Sequence, residues 1–119
     1  MSDFRKLLVW QKAHSLAMDA HTATSAIRGA RHSGLKSQIV RAADSVAANI
    51  VEGCGEKTAL EFTRFLRIAL NSATELEYHL IVARDRRLLT PSTCQELSDR
   101  AIELRRMLYG LLRRVRTRV

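Results

Sequence analysis

The stretch LSDRAIELRRMLYGLLRRV, residues 97–115, has the most regular apolar pattern in the chain. Its apolar positions recur at alternating intervals of four and three residues, at Leu97, Ala101, Leu104, Leu108, Leu111 and Val115. A repeat of about 3.5 residues is typical of helices that pack side by side at shallow angles. The pattern therefore predicts a long helix that buries one stripe against neighbouring helices.

Three further segments with helical apolar spacing precede this one, separated by short breaks at Gly29–Gly34, Gly53–Gly55 and Thr90–Pro91. Thr58, three residues before Glu61, predicts the cap of the third helix. Thr90 followed by proline predicts the cap of the fourth. Because the connections are short, neighbouring helices should run antiparallel. We predict an all-α, antiparallel up-down-up-down four-helix bundle, a single domain over residues 1–119 with helices at about 7–28, 35–53, 58–87 and 91–117.

Length and composition exclude several classes of protein. The 119 residues suffice for one hydrophobic core, and no apolar run approaches the roughly 20 residues that span a bilayer. The charged start MSDFRKLLVWQK lacks a secretory apolar region. Cys54 and Cys94 are too few for a disulfide framework. We therefore expect a cytoplasmic protein with no membrane partner.

The charge is strongly basic, with 20 Lys and Arg against 12 Asp and Glu, a net charge of +8. Sixteen of the cations are arginine, which suits contact with phosphate. In an up-down bundle the first and third connections meet at one end, and the tail lies at the other. The predicted nucleic-acid-binding residues are therefore Arg28, Arg31, Lys36, Arg84, Arg86 and Arg87 at one end and Arg113, Arg114, Arg116 and Arg118 at the other. Part of the tail also has a structural explanation, because cations complement a helix C-terminus.

The second predicted helix carries a polar stripe beside its apolar one. With two residues of the third helix, it forms a candidate structural or interface network of Arg41, Ser45, Asn49, Glu52, Ser72 and Glu75. An ion pair between Arg41 and Glu75 is one possibility. The alternatives are a solvated face and a catalytic site. The stripe alone does not decide whether these residues face the core, a subunit contact or a pore.

Catalytic motifs are missing from the sequence. It has no phosphate-binding glycine loop, zinc-protease helix, nucleophile elbow or Cys-x-x-Cys pair. His14 and His21 share a helical face, but no carboxylate in that helix completes a ligand set. We therefore expect no enzymatic activity, no catalytic residues, no metal and no cofactor.

Three segments resemble one known family. The opening FRKLLVWQKA (residues 4–13), the run LKSQIVRAADSVAANIVEG (residues 35–53) and the stretch EFTRFLRIALNSATELE (residues 61–77) are similar to the four-helix-bundle family of 23S rRNA intervening-sequence proteins. The resemblance covers nearly the whole chain in order. Asn71 is a departure, since the family usually has glycine there.

The resemblance implies a small bacterial cytoplasmic protein. It also implies likeness to the accessory variability protein of diversity-generating retroelements, a basic pentameric bundle that binds nucleic acid and a reverse transcriptase. By that likeness we expect a homopentamer that binds RNA or another nucleic acid through phosphate contacts. The main alternative is an adaptor that docks a protein partner such as a polymerase. A phosphodiester-cleaving enzyme built on the polar stripe is a third hypothesis.

Overall fold

A computed structural model describes residues 3–117. These residues form four α-helices and no strand: α1 (Leu8–Thr24), α2 (Ser33–Cys54), α3 (Ala59–Asp85) and α4 (Pro91–Arg116). Two short 3₁₀ turns, Phe4–Lys6 and Ala30–His32, precede α1 and α2. The predicted all-α four-helix bundle is confirmed.

The helices form an elongated antiparallel bundle of 47 × 21 × 20 Å. Each helix packs against two others: α2 lies beside α1 and α3, and α4 lies beside α3 and α1. One continuous core runs through the centre. The connections α1–α2 (residues 25–32) and α3–α4 (residues 86–90) therefore lie at one end of the bundle. We call this end, including the adjoining turns of the helices, the connection end. The opposite end, where α1 begins and α4 ends, is the terminal end. No helix within residues 3–117 is long and apolar enough to cross a bilayer.

The buried stripe of α4 departs from the predicted one near its end. Leu97, Ala101, Leu104, Leu108 and Val115 are buried as predicted, but Leu112 is buried in place of Leu111, which is only partly covered. Adjacent residues of an α-helix lie about 100° apart, so Leu111 and Leu112 flank the centre of the stripe on opposite sides and the spacing alone does not choose between them. The expectation at Leu111 was therefore wrong by one position.

Two predicted caps are confirmed. The Thr58 hydroxyl accepts a hydrogen bond from the Glu61 backbone N–H, and Thr90 accepts one from the Thr93 N–H. The first helix ends at Thr24, whereas the sequence predicted an end near residue 28. Beyond Thr24 the backbone hydrogen bonds change from the α-helical to the tighter i→i−3 pattern, as in the bond from the Ile27 N–H to the Thr24 carbonyl at 2.9 Å.

Candidate nucleic-acid interface

The connection end brings two basic segments together, each held by an apolar residue. Ile27 and Leu89 are both buried, and they fix the α1–α2 and α3–α4 connections to the core. Because these side chains point inward, the charged residues beside them remain in solvent. The exposed cations are Arg28, Arg31, Arg84, Arg86 and Arg87, while Lys36 is partly buried in the first turns of α2.

Little negative charge offsets these cations. Arg84 pairs with Asp85 at 3.2 Å, a contact between exposed neighbours. Within residues 3–117, the other five cations of this end make no ion pair with an acidic side chain. Two helices begin here and two end here, so their macrodipoles largely cancel and side-chain charge dominates the local potential.

Arg31, His32 and Arg86 line one open cleft of about 450 Å³. The first two belong to the turn before α2, and Arg86 caps the end of α3, so the cleft joins residues that are distant in sequence. His32 is the N-cap residue of α2, yet its side chain makes no capping hydrogen bond. Its Nδ1 atom is buried and has no partner in the described part of the chain. The cleft is thus lined by two arginines and a histidine whose Nδ1 atom is turned away from solvent.

Arg87 occupies a backbone conformation that usually requires glycine. Its φ is 58°, the only positive value for a non-glycine residue between residues 3 and 117. The turn that follows α3 has the hydrogen bonds of a Schellman motif, with Leu88 N–H to Ala83 O and Arg87 N–H to Arg84 O, both 2.9 Å. A strained arginine at a position suited to glycine points to a role for the side chain itself.

We expect Arg87→Gly to raise the free energy of unfolding by about 0.5–1 kcal/mol. The left-handed conformation costs an L-residue about 1–2 kcal/mol, and the greater freedom of glycine in the unfolded chain offsets about half of that gain. Arg87→Ala removes the same charge but keeps the strained backbone, so it should not stabilise. Urea denaturation of the three proteins measures both effects. A destabilised Arg87→Gly protein would show that the arginine side chain stabilises the turn.

The terminal end carries the other predicted cations. Arg113, Arg114 and Arg116 lie in the last turn of α4 and are exposed. Their position fits the structural explanation, since cations stabilise a helix C-terminus by a few tenths to about 1 kcal/mol. Arg118 lies outside the described residues.

The polar stripe of α2 lies along its contact with α3. The Ser45 and Ser72 hydroxyl oxygens are 2.8 Å apart, and Ser72 is buried. The Asn49 Nδ2 donates to the Ser45 hydroxyl at 3.0 Å. Three of the predicted network residues therefore meet inside the seam between the two helices, where their hydrogen bonds fix the register of α2 against α3.

A second polar group lies along the same seam, nearer to solvent. The Arg41 Nη2 is 3.4 Å from Glu75 Oε2 and also hydrogen-bonds Gln38. His79 Nε2 lies 3.1 Å from the same Glu75 oxygen. Glu52 is exposed and its side chain makes no hydrogen bond or ion pair within residues 3–117, so the structure does not bring that side chain to the other network residues.

The cysteine and histidine side chains described next are not arranged as a reactive site. Cys54 and Cys94 are buried, and burial raises the pKa of both thiols, which favours the unreactive protonated form at neutral pH. His14 stacks on the Trp10 ring, with ring centroids 5.0 Å apart. Across residues 3–117 no three His, Cys, Asp or Glu side chains are grouped so that they could hold a metal ion.

The family model described as 23S rRNA-intervening sequence protein matches residues 5–110, nearly the whole chain. The chain belongs to this family. The match includes the α2–α3 seam and the connection end, and it ends before the last turn of α4.

One solved structure is similar to this intervening-sequence protein in fold. It is the 1.70 Å crystal structure of a protein of unknown function from the S23 ribosomal protein family of Bacteroides thetaiotaomicron. The TM-score is 0.81 at 22% identity, and the match covers 88% of this chain and 98% of that chain. At this identity the likeness shows the fold alone. No curated protein matches the chain significantly in sequence.

Asn71, which departs from the family pattern of the intervening-sequence proteins, lies exposed on α3 beside the buried Ser72. The Asn71 side chain therefore points to solvent, while Ser72 makes the contact with α2.

An ion pair between α3 and α4 was not predicted from the sequence. Arg105 forms a partly buried bidentate pair with Glu77, with distances of 2.5 and 3.2 Å. Both residues flank apolar stripe positions, Leu76 and Leu104. Because Glu77 and Arg105 each follow a buried leucine, their positions beside the two apolar stripes were the sequence signal for an ion pair between α3 and α4.

Proposed function

We propose that this protein is a non-enzymatic, cytoplasmic nucleic-acid-binding protein whose connection end contacts RNA phosphates. The observation that carries the proposal is the cleft of Arg31, His32 and Arg86, in which two arginines from different connections lie together with no acidic partner in the described residues. Guanidinium groups donate paired hydrogen bonds that match phosphate oxygens.

The surroundings of the cleft favour backbone contact over base recognition. Its lining residues are all cationic or imidazole side chains, and the exposed aromatic residues Tyr78 and Tyr109 lie along α3 and α4 rather than at the connection end. Sequence-specific RNA recognition commonly stacks bases on aromatic rings. Contacts to phosphate position a protein without reading the sequence. We therefore propose binding that depends on RNA shape and charge rather than on its bases.

The salt dependence of binding tests this proposal. Five cations of the connection end have no acidic partner, and each phosphate that they neutralise should contribute about 0.7–0.9 to the slope of log K against log salt. A fluorescently labelled stem-loop RNA, titrated with the protein at several KCl concentrations, should lose about a thousandfold or more in affinity over a tenfold rise in salt. An affinity that stays flat across that range would contradict the proposal.

The family resemblance further supports a homo-oligomer, which we propose to be a pentamer. The outer face of α3 is a suitable contact, because Leu60 and Tyr78 are 67% and 62% exposed. They are separated by five helical turns and so share one face. Light scattering on the purified protein tests the assembly, and a mass equal to that of the 13.4 kDa chain would contradict it.

A further inference from the structure

A second surface, remote from the cleft, lies between the start of α1 and the last turns of α4. It is an apolar groove of about 390 Å³, lined by Leu7, Leu8, Val9, Met107, Gly110 and Leu111 with Arg106 and Arg114. Leu8, the first residue of α1, is 57% exposed, while the next residue, Val9, is buried in the core. The groove lies at the terminal end, whereas the cleft of Arg31, His32 and Arg86, which we call the phosphate cleft after its proposed ligand, lies at the connection end.

Gly110 in this groove has no explanation in the packing of the chain. It lies in the interior of α4, where glycine is less favourable than alanine by about 1 kcal/mol. A Cβ atom built there would meet only the Arg114 Nη1, at an ordinary contact distance of 3.8 Å. The missing side chain therefore does not relieve a contact within the chain. Because glycine has no side chain, the groove is deeper at this position, so a partner's side chain or backbone can approach α4 closely.

The charges beside the groove indicate the chemistry of that partner. Arg106 and Arg114 line it, and neither has an acidic partner among residues 3–117. Glu103 lies one turn before Arg106 on α4, but its Oε1 is 3.1 Å from Lys12 Nζ, so it is paired with Lys12 instead. An apolar floor with unpaired arginines is complementary to a helix that has one apolar face and acidic flanks.

We propose that the α1–α4 groove docks an acidic amphipathic helix of a protein partner. The apolar face of that helix would cover Leu8 and Leu111 and approach Gly110, while its carboxylates pair with Arg106 and Arg114. This surface is independent of the phosphate cleft, so one molecule can bind RNA and a protein partner at opposite ends.

A designed peptide tests the groove without knowledge of the natural partner. The probe is a fluorescently labelled peptide of about 18 residues, five helical turns, with leucines along one face and glutamates on both flanks. Its control is a peptide of the same composition with the leucines scrambled. We expect Gly110→Leu, which fills the groove, to weaken binding of the probe about tenfold or more. The double variant Arg106→Gln/Arg114→Gln should weaken it and reduce its salt dependence, whereas Arg28→Gln/Arg31→Gln at the connection end should not change it.

The other outcomes would overturn the proposal. Equal binding of the probe and the scrambled peptide would show attraction by charge alone. Equal binding by the Gly110→Leu protein, with its fold verified by circular dichroism, would place the peptide elsewhere. Binding to phosphatidylglycerol vesicles but not to the probe would make the groove a membrane contact. A change of oligomeric mass in Gly110→Leu without any peptide binding would make it a contact between copies of this chain. RNA binding by Gly110→Leu should remain normal, so failure here is distinguishable from failure of the proposed function.

Discussion

Replacing Gly53 with alanine is expected to lower the free energy of unfolding by about 1–3 kcal/mol. A Cβ atom at this position would lie 2.7 Å from Phe62 Cδ1 and 3.3 Å from Phe65 Cβ, closer than normal contact. Phe62 is only 4% exposed, so its ring has little room to move. The close approach of α2 and α3 therefore requires a residue without a side chain. Urea denaturation monitored by circular dichroism measures the change.

Gly110→Ala is the matched control, because the same chemical change occurs in the interior of another helix. Here the nearest atom to the new methyl group is 3.8 Å away, so helix propensity alone acts. We expect this variant to be more stable by about 0.5–1 kcal/mol. Opposite signs for the two variants would support the packing described. If Gly53→Ala were also stabilised, the α2–α3 contact would be looser than the structure has it.

Neutralising the phosphate cleft is expected to have the largest effect on RNA binding. In Arg31→Gln/Arg86→Gln, two guanidinium contacts are lost at about 1 kcal/mol each, so the affinity for a stem-loop RNA should fall about thirtyfold. The slope of log K against log salt should also become shallower by about 2, one for each lost contact. Both residues are exposed and make no ion pair within residues 3–117, so the fold should be unaffected. Fluorescence anisotropy in buffers of graded KCl measures both quantities.

The equal-charge control is Arg113→Gln/Arg116→Gln at the terminal end. It lowers the net charge by the same amount, so it reports the effect of total charge alone. We expect a loss of affinity several times smaller than that of the cleft variant. Equal losses in both variants would mean that RNA responds to overall charge and that the cleft has no special role.

The four helices could be predicted because each is specified by a local pattern. The stripe of α4 and the caps at Thr58 and Thr90 depend on residues within a few positions of one another. The burial of Leu112 in place of Leu111 was missed because these neighbours lie on either side of the stripe, and the packing of the other helices decides which one is covered.

The position of the basic connection end could be predicted from topology, but the burial and backbone conformation of its residues could not. Alternating helix directions place the first and third connections together whatever their conformation. The buried Nδ1 of His32 and the left-handed backbone of Arg87 depend on how each turn folds against the core. The apolar groove was missed for a similar reason. Leu8, Met107 and Gly110 are unremarkable in sequence, and only the separation of α1 from α4 exposes them as one surface.

The most direct test of the central claim is to find which end of the bundle contacts RNA. The five glycines of the chain serve as reporters in an assigned ¹⁵N–¹H correlation spectrum. Gly29 and Gly34 adjoin the phosphate cleft, whereas Gly53, Gly55 and Gly110 lie toward the terminal end. Titration with a stem-loop RNA should shift or broaden the signals of Gly29 and Gly34 first and leave that of Gly110 unchanged. Shifts at Gly110 with no change at Gly29 and Gly34 would contradict the account.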